Sequence, residues 1–424
     1  MDKVIVLAGG KSSRFGAPKI IQDLAGQRVI DYVLALAGEI GSDVTLVLNP
    51  ALKKETLPSH IRIVFQQEAL GTGHAFQIAL QEIFQQRPPE NEYIWILMGD
   101  TPLLTKEDLS QLSSSSAPLT LLGMIPENPG NYGRIYCEEG KVKEIIETKQ
   151  ATAQQLKNPL CYSGVMRIKA SLALQLAPLI PFRPQVNEFY ITDLVGLALD
   201  HTSEVAVVTA PDAKNLEGIN TPDQWTFAFK RLQERFRLKA QGHGALLFDP
   251  DSIFLSWDTV LDKGVEVHPF VTFGPHVRVH EKAKIFSFSV LNNCVIYSGC
   301  KIGPFAHIRP GSVIQEGGEI GNFVEVKNTI LGPYSKAKHL TYLGDASIGS
   351  KTNIGAGVIT CNYDGKHKHK TIIGNEVSIG ANTSIVAPRI IHDGALIGAG
   401  SVITQDVPEV MMAIARARQK NLPR

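Results

Sequence analysis

The stretch that decides the fold of the C-terminal half is Lys338–Gly365, which reads KHLTYLGDASIGSKTNIGAGVITCNYDG. It lies inside a region in which one aliphatic residue recurs at every sixth position. The recurring residues are Ile302, Ile308, Ile314, Ile320 and Val326 before the stretch, and Ile373, Ile379, Ile385, Ile391, Ile397 and Ile403 after it. A repeat of this length predicts a solenoid of stacked coils, each made of three short parallel strands.

The six-residue pattern breaks within Lys338–Gly365, and polar and aromatic residues occupy the break. These residues are His339, Tyr342, Asn353, Asn362 and Tyr363. A solenoid that gives up its aliphatic repeat for such side chains is expected to build a binding or catalytic site there.

Composition limits the classes of function. A chain of 424 residues with 44% hydrophobic and 20% charged residues is typical of a globular protein with two or three domains. The net charge of +1 gives no general attraction to nucleic acid or acidic membranes. No apolar run approaches the roughly 20 residues that span a bilayer, and the N-terminus runs directly into a short apolar strand. We therefore expect a cytoplasmic protein with no membrane or nucleic-acid partner.

The N-terminal half alternates short apolar runs with helical patterns, as in KVIVLAGG followed later by GTGHAFQIALQEIFQQ. This alternation predicts an α/β domain with a mostly parallel sheet covered by helices on both faces. The helical segment KEDLSQL is expected to be capped by Thr105, with Asp108 three residues later. The predicted divisions are a first domain over 1–221, a linker helix over 222–245 and a repeat domain over 246–424.

A glycine-rich basic loop, LAGGKSSRFGAPK, covers Leu7–Lys19 directly after the first strand. Gly9 and Gly10 allow backbone N–H groups to approach an anion, and three cations add positive charge where phosphates would bind. Those cations are Lys11, Arg14 and Lys19. The loop should lie at the carboxyl end of its strand, where open α/β sheets bind ligands.

Asp100 follows the apolar run YIWIL, in Met98-Gly99-Asp100. A carboxylate that emerges from a buried strand end into a cleft is a good ligand for Mg²⁺, which takes few carboxylates and keeps its other positions for water and phosphate. A turn residue or a helix N-cap is the alternative role for Asp100.

The motifs HLTYLGDASIG, NIGAG and CNYDG resemble the acetyltransferase domain of the bifunctional GlmU-type enzymes. Leu7–Lys19, Leu70–Gly73 and Gly99-Asp100 resemble the nucleotidyltransferase domain of such enzymes. The resemblance implies a Rossmann-like N-terminal domain and a C-terminal left-handed parallel β-helix that forms a homotrimer with sites between subunits. It also implies synthesis of UDP-N-acetylglucosamine for peptidoglycan and lipopolysaccharide: acetyl transfer from acetyl-CoA to glucosamine 1-phosphate, then uridyl transfer from UTP with release of pyrophosphate.

The resemblance assigns roles in the N-terminal domain. Arg14 and Lys19 would neutralise the transferring phosphate, and Mg²⁺ would be held by Asp100 and Asn220. The residues implied for nucleotide binding are Leu7, Ala8, Gly9, Gly10, Lys11, Gln66, Gly71 and Thr72. Those implied for the sugar phosphate are Gly133, Glu147, Tyr162, Thr192 and Asn220.

In the C-terminal domain the resemblance makes His339 the catalytic base. The role suits a histidine, because an ammonium must lose a proton to an acceptor with a pKa near neutrality before it attacks a thioester. The residues implied for the sugar phosphate are Arg309, Lys327, Tyr342, Asn353, Asn362, Tyr363 and Lys368. Those implied for acetyl-CoA are Ala356, Ala381, Ala399 and Arg416.

The sequence departs from the GlmU pattern in four places. The loop between Arg14 and Lys19 is short, as in molybdenum-cofactor guanylyltransferases; Tyr162 replaces an asparagine; and Ala381 replaces a serine. The repeat region is about one coil short, with an abbreviated C-terminal extension. Two alternatives are a nucleotidyltransferase for another sugar phosphate with a regulatory β-helix, and a trimeric scaffold with decayed sites. The presence of Lys19, Asp100, Asn220 and His339 together argues against decay.

Overall fold

The computed structural model describes residues 2–10, 12, 15–86, 88–89, 91–201 and 204–423. The chain divides into two compact units, Met1–Lys230 and Arg231–Arg424. The boundary between them falls inside a helix, Pro222–Gly242, which begins where the sequence predicts the linker helix. No helix in the described ranges has both the length and the apolar character needed to cross a membrane.

The first unit is built on one mixed sheet. Its main strands lie side by side in the order Val205–Thr209, Leu119–Met124, Cys161–Lys169, Tyr93–Met98, Lys3–Ala8, Asp43–Leu48 and Arg62–Phe65. The pairings are parallel except along Cys161–Lys169, which runs antiparallel to both neighbours. A hairpin of Arg134–Glu138 and Lys141–Ile146 extends the sheet from that strand. The predicted mostly parallel sheet is confirmed.

Helices cover both faces of this sheet because alternate side chains of each strand point to opposite sides. Ile5 and Ile96 belong to one buried cluster, while Val6 and Leu97 belong to a second cluster. The helices are Val29–Ile40, Gly71–Ile83, Lys106–Ser113, Ala170–Leu176 and Asp193–His201. Single 3₁₀ turns occur at Lys19–Ile21, Pro50–Leu52, Gln155–Lys157, Ala177–Leu179 and Ala213–Leu216, and short strand pairs at Asp23–Leu24 with Gln27–Arg28 and Phe182–Arg183 with Glu188–Phe189.

The parallel register brings two loops to the same sheet edge. Lys3–Ala8 pairs directly with Tyr93–Met98, and the Gly99 N–H donates to the Leu7 carbonyl at 2.9 Å. The loops after the two strands therefore begin side by side. Thr105 and Asp108 form the predicted capping box of the next helix, so Asp100 is not its N-cap.

The second unit is a parallel β-helix with three faces. The first face contains Leu246–Leu247, Glu266–Val267, Lys284–Ile285, Lys301–Ile302, Glu319–Asn322, Lys336–His339, Asn353–Ile354, Ser378–Ile379, Leu396–Ile397 and Met412–Ala413. The second contains Val260–Leu261, Val277–Val279, Cys294–Ile296, Ser312–Ile314, Ile330–Leu331, Ala346–Ile348, Thr371–Ile373 and Arg389–Ile391. The third contains Thr272–Phe273, Val290–Leu291, His307–Ile308, Glu325–Lys327, Tyr342–Gly344, Ile359–Cys361, Ser384–Val386 and Val402–Ile403. A 3₁₀ turn, Pro250–Ser252, precedes the regular coils.

The recurring aliphatic residues form the core of this unit. Ile302 lies over Ile320, and Ile308 lies over Val326, so each aliphatic side chain packs on its counterpart in the next coil. The predicted solenoid is confirmed. Cys294 and Cys300 are buried in the same core, where burial raises the pKa of the first thiol to about 12 and of the second to about 11. All five cysteines lie in the described ranges and are free thiols.

The predicted break over Lys338–Gly365 is wrong for most of that stretch. Tyr342–Gly344 and Asn353–Ile354 are ordinary strands, and Ala337 lies under Ile354 in unbroken register. The six-residue spacing shifts because the coils here are one residue shorter: Leu331 pairs with Ile348 and Ala337 with Ile354, whereas Ile302 pairs with Ile320. Thr360 also replaces an aliphatic residue in the core, and the coils themselves continue. The chain leaves the solenoid only over residues 362–370, between Ile359–Cys361 and Thr371–Ile373.

Candidate active sites

A cavity of about 610 Å³ opens at the carboxyl ends of the paired strands Lys3–Ala8 and Tyr93–Met98. Its wall contains most of the residues expected to bind nucleotide and metal. They are Leu7, Ala8, Gly9, Gly10, Lys19, Gln66, Gly71, Thr72, Asp100 and Asn220. Ser12 also lines it and accepts a hydrogen bond from the Lys19 N–H at 3.2 Å. Lys11 and Arg14 lie outside the described residues.

Lys19, Asp100 and Asn220 meet at one point of this cavity. The Lys19 ammonium forms an ion pair with the Asp100 carboxylate and donates to Asn220 Oδ1 at 2.9 Å. The Ile219 N–H donates to the Asp100 carbonyl at 2.8 Å, which ties the loop carrying Asn220 to the strand end. Two oxygens that share one ammonium converge on a single cation position. This arrangement fits Mg²⁺, which needs only one or two protein oxygens when substrate phosphate supplies others. In the described part of the chain, no cluster of three or more His, Cys, Asp or Glu forms another metal site.

Gln66 joins the strand-end loops at the expected nucleotide end. Its Nε2 donates to the Gly71 carbonyl at 2.9 Å. A Cβ on Gly9 would lie only 2.1 Å from Gln66 Oε1, so a larger residue at position 9 would clash with Gln66. Gly71 has φ +91, a left-handed conformation that favours glycine, and its Cα packs against the backbone of Phe189. Thr72 Oγ1 accepts from the Ile191 N–H at 3.2 Å. Gly9 and Gly71 are therefore needed so that Gln66 and Phe189 can approach the backbone closely, and not only to expose backbone N–H groups to an anion.

Glu147 is the expected sugar-site residue on the wall of the cavity. Thr192 Oγ1 donates to its carboxylate at 2.9 Å, and burial raises its pKa against the opposing effect of that hydrogen bond. Gly133, Tyr162 and Thr192 lie behind Glu147: the Tyr162 N–H donates to the Gly133 carbonyl at 2.8 Å. Tyr162 is 6% exposed, and its hydroxyl has no hydrogen-bond partner among the described residues.

Three contributors to this site were missed from the sequence. Glu188 and Tyr190 line the cavity, and Tyr132 accepts a hydrogen bond from the Gly218 N–H at 3.2 Å. Burial raises the pKa of Tyr132 to about 12, so its hydroxyl stays protonated. The signal was available, because Tyr132 adjoins the turn at Gly133 and Tyr190 lies two residues before Thr192.

In the second unit, His339 ends the strand Lys336–His339 and its side chain is exposed. Its carbonyl accepts from Thr341 Oγ1 at 2.7 Å and from the Gly357 N–H at 3.2 Å. The following residue, Leu340, turns the corner with φ +51. The backbone of His339 is therefore held on both sides while the ring faces outward.

A column of small residues continues upward from His339. The residues before the left-handed corner in the next three coils are Ala356, Ala381 and Ala399, each followed by a corner residue of positive φ. The Asn382 N–H donates to the Ala356 carbonyl at 2.7 Å, and the Gly400 N–H to the Ala381 carbonyl at 2.8 Å. Arg416 reaches the Ala399 carbonyl at 2.6 Å. All four residues expected to contact acetyl-CoA thus lie along one edge with the proposed base.

Two of the expected phosphate ligands, Arg309 and Lys327, lie next to each other along the third face. Arg309 and Lys327 occupy successive coils, because the Arg309 N–H donates to the Val326 carbonyl at 2.7 Å. The next position above Lys327 is Gly344, whose lack of a side chain leaves room for the Tyr342 hydroxyl. Arg309 also forms an ion pair with Glu325 at 2.6 Å.

Asp345 is a residue that sequence reasoning missed, although it lies in the quoted motif LGDASIG. It accepts hydrogen bonds from Asn328 Nδ2 at 2.7 Å and from Asn362 Nδ2. Partial burial opposes ionisation, but these two bonds, with the charges of Lys327 and Lys368, lower the pKa of Asp345. Lys327 and Lys368 therefore act on one carboxylate and belong to one electrostatic cluster. Asn353 is exposed on the first face, in register with Lys336.

Comparison with known proteins matches a different family to each half of the chain. Residues 4–176 match the MobA-like NTP transferase domain family, and residues 370–405 match the bacterial transferase hexapeptide family of six repeats. A "Bifunctional protein GlmU" from Paramagnetospirillum magneticum is 38% identical over 433 aligned positions, covering 99% of this chain and 94% of that protein. Those from Thermodesulfovibrio yellowstonii and Nitratidesulfovibrio vulgaris are 37% and 36% identical, covering 100% and 99% of this chain and 98% of each relative.

The chain belongs to the GlmU family. Its two domains match the two activities of GlmU, uridyl transfer and acetyl transfer, which together produce UDP-N-acetylglucosamine. The β-helix is accordingly the left-handed hexapeptide-repeat type. GlmU membership over the whole chain disfavours both alternatives, an inert regulatory β-helix and a decayed scaffold.

Arg309 and Lys327 are expected to bind the phosphate of glucosamine 1-phosphate and not acetyl-CoA, and this can be tested by substitution. Arg309→Ala or Lys327→Ala should raise the Michaelis constant for glucosamine 1-phosphate roughly 10–100-fold, because a charge-assisted hydrogen bond contributes about 1.5–3 kcal/mol. The Michaelis constant for acetyl-CoA should stay within about twofold of the wild-type value, because neither side chain is expected to contact acetyl-CoA. A twofold change is far smaller than the change expected from the loss of one such hydrogen bond. Arg278→Ala is the matched control, since Arg278 is an arginine of the same solenoid paired with Asp262. An unchanged sugar-phosphate constant would move the phosphate site elsewhere.

Proposed function

We propose that the first unit transfers a uridyl group from UTP to N-acetylglucosamine 1-phosphate in the cavity beside Asp100. An oxygen of the sugar phosphate attacks the α-phosphorus of UTP, and pyrophosphate leaves in line. The nucleophile is already anionic, so the protein has to position both phosphates and neutralise their charge rather than remove a proton. The observation that carries this proposal is the convergence of Lys19, Asp100 and Asn220 on one point.

Each part of this cavity has a task in the proposal. Asp100 and Asn220 would hold Mg²⁺, which neutralises charge on the transferring phosphate when bound. Lys19, together with Arg14 and Lys11 of the preceding loop, binds phosphate oxygens. Gln66, Gly71 and Thr72 hold the uracil end, with Leu7, Ala8, Gly9 and Gly10 along the nucleotide. Gly133, Glu147, Tyr162 and Thr192 make the sugar end.

We propose that the second unit acetylates glucosamine 1-phosphate, with His339 as the general base. The sugar amine attacks the thioester carbonyl of acetyl-CoA, the carbon–sulfur bond breaks with coenzyme A leaving as its thiolate, and the amine proton passes to His339. Arg309, Lys327 and Lys368 bind the sugar phosphate, while Tyr342, Asn353, Asn362 and Tyr363 bind the sugar. Acetyl-CoA lies along Ala356, Ala381 and Ala399, with Arg416 at its phosphates. The alanine column that starts at His339 is the observation that carries this assignment.

We propose that the β-helix forms a homotrimer in which neighbouring copies complete the acetyl-transfer sites. Support comes from one corner of the solenoid, where four half-exposed phenylalanines stack with ring centroids 4.9–5.1 Å apart. They are Phe270, Phe288, Phe305 and Phe323, at positive-φ positions that large side chains seldom occupy. Light scattering of the full chain should give a mass about three times 46.2 kDa, and a monomer mass would refute the trimer.

We also propose that the enzyme acts in the cytoplasm, because its proposed co-substrates, UTP and acetyl-CoA, are found there.

Asp100→Ala should abolish uridyl transfer and leave acetyl transfer intact. Loss of the carboxylate removes metal-dependent stabilisation of the transferring phosphate, which contributes several kcal/mol, so the rate should fall at least about 100-fold. Both half-reactions are measured on the same preparation, so acetyl transfer serves as the internal control. Loss of both activities in folded protein would contradict the assignment of two separate sites.

His339→Ala should lower the turnover number for acetyl transfer roughly 10²–10⁴-fold, the usual effect of losing a general base. Binding of both substrates should change little, and uridyl transfer should persist. The deciding measurement is the pH–rate profile, because the wild-type rate should fall at low pH as the base becomes protonated and the variant should lack that limb. His392→Ala removes another exposed histidine of the solenoid and should behave as wild type. A variant that retains the wild-type acidic limb would assign the base to another group.

A further inference from the structure

The only departure of the chain from the solenoid within its described coils, residues 362–370, is a closed hairpin. Tyr363 and Lys368 form an antiparallel bridge, and the His369 N–H donates to the Asn362 carbonyl at 2.8 Å. Asn362 and Lys368, both expected to bind the sugar phosphate, therefore lie on the two arms of this hairpin in adjacent cross-strand pairs, Asn362 opposite His369 and Lys368 opposite Tyr363. Its geometry decides where both side chains are held.

Asp364 organises the turn of the hairpin. Its Oδ1 accepts from the backbone N–H groups of Lys366 at 2.7 Å and His367 at 2.6 Å. Its Oδ2 lies 2.6 Å from His369 Nε2, across the hairpin. The backbone bond from His367, followed by the His369 side chain, lowers the pKa of Asp364 far below its usual value. The carboxylate is therefore fully ionised and engaged on both oxygens.

The charge pattern makes the His369 contact important. Residues 366–370 read KHKHK, so three lysines and two histidines follow one another. The three lysine ammonium groups repel one another, which favours opening of the turn, and little packing opposes this because residues 363–368 are exposed. Two contacts oppose that tendency: the Lys368 ammonium lies 4.3 Å above the Tyr363 ring, and His369 pairs with Asp364. The Tyr363 hydroxyl also donates to the Gly365 carbonyl at 2.6 Å.

We propose that His369 is a positioning residue of the acetyltransferase site, which closes the hairpin through Asp364 and so holds Lys368 and Asn362 in place for the sugar phosphate. This inference rests on the proposed acetyl transfer. His369 itself touches no reacting atom in this scheme. Its effect should consequently appear in the binding of glucosamine 1-phosphate and not in the chemical step.

The test measures acetyl transfer by the full chain with glucosamine 1-phosphate and acetyl-CoA as the two varied substrates. His369→Ala should raise the Michaelis constant for glucosamine 1-phosphate about 3–10-fold, the effect of losing one partly exposed hydrogen-bonded pair. The turnover number and the Michaelis constant for acetyl-CoA should stay within about twofold of their wild-type values, a smaller change than the loss of one such pair would cause. His369→Gln keeps a side-chain donor and should recover most of the affinity. His367→Ala removes the neighbouring histidine, whose backbone alone contacts Asp364, and should resemble wild type.

A double-variant cycle identifies the partner. If His369 acts through Asp364, then the Asp364→Ala/His369→Ala protein should bind the sugar phosphate no more weakly than Asp364→Ala alone. Additive losses, or a His369→Ala constant equal to wild type, would overturn the proposal. A turnover loss equal to the affinity loss would also overturn it, because it would place His369 in the chemistry. Absence of acetyl transfer by the wild-type protein would refute the proposed function itself, which is a separate and recognisable outcome.

Discussion

The hydrogen-bonded register between successive coils is the constraint on which the acetyltransferase unit depends. Each coil can stack on the next only when its strands pair residue for residue, as Ala337 does with Ile354 and Ile354 with Ile379. That register fixes what stands above what along every edge. It places three alanines in line above His339 and sets Arg309 one coil below Lys327. Residues far apart in sequence are thus brought together by the coils, and only the hairpin at 362–370 adds site residues from outside them.

The uridyltransferase unit uses a related constraint in a different fold. Parallel pairing of the first strand with Tyr93–Met98 ends both strands at one sheet edge, and loops supply the chemistry there. Separate loops bring Lys19 and Asn220 to Asp100: Lys19 forms an ion pair with Asp100 and donates a hydrogen bond to Asn220. This site depends on several loops that must settle together, whereas the solenoid site is largely preset by its scaffold. The difference fits the two reactions, since phosphoryl transfer requires metal and phosphates to be gathered, and acetyl transfer requires one base beside a long cofactor groove.

The sequence predicted the parts with strong periodicity and could not predict those that arise from three-dimensional contact. The six-residue repeat located the solenoid, and the strand-end position of Asp100 located the cavity. The repeat misled at Lys338–Gly365, because a coil can be one residue shorter, or carry Thr360 in its core, and still pair with its neighbours. Tyr132 and Asp345 lie in or beside motifs visible in the sequence, but their roles were missed because these depend on the distant partners Gly218, Asn328 and Asn362.

The central claim is that one chain carries two working sites that act in sequence. The most direct test incubates the wild-type protein with glucosamine 1-phosphate, acetyl-CoA, UTP and Mg²⁺, and follows the acetylated sugar phosphate and the nucleotide sugar separately. We expect N-acetylglucosamine 1-phosphate to form first and UDP-N-acetylglucosamine and pyrophosphate to follow, and we expect omission of UTP to stop only the second step. Formation of a nucleotide sugar with no acetylated product under any of these conditions would contradict it, because the β-helix would then be a scaffold and not an enzyme.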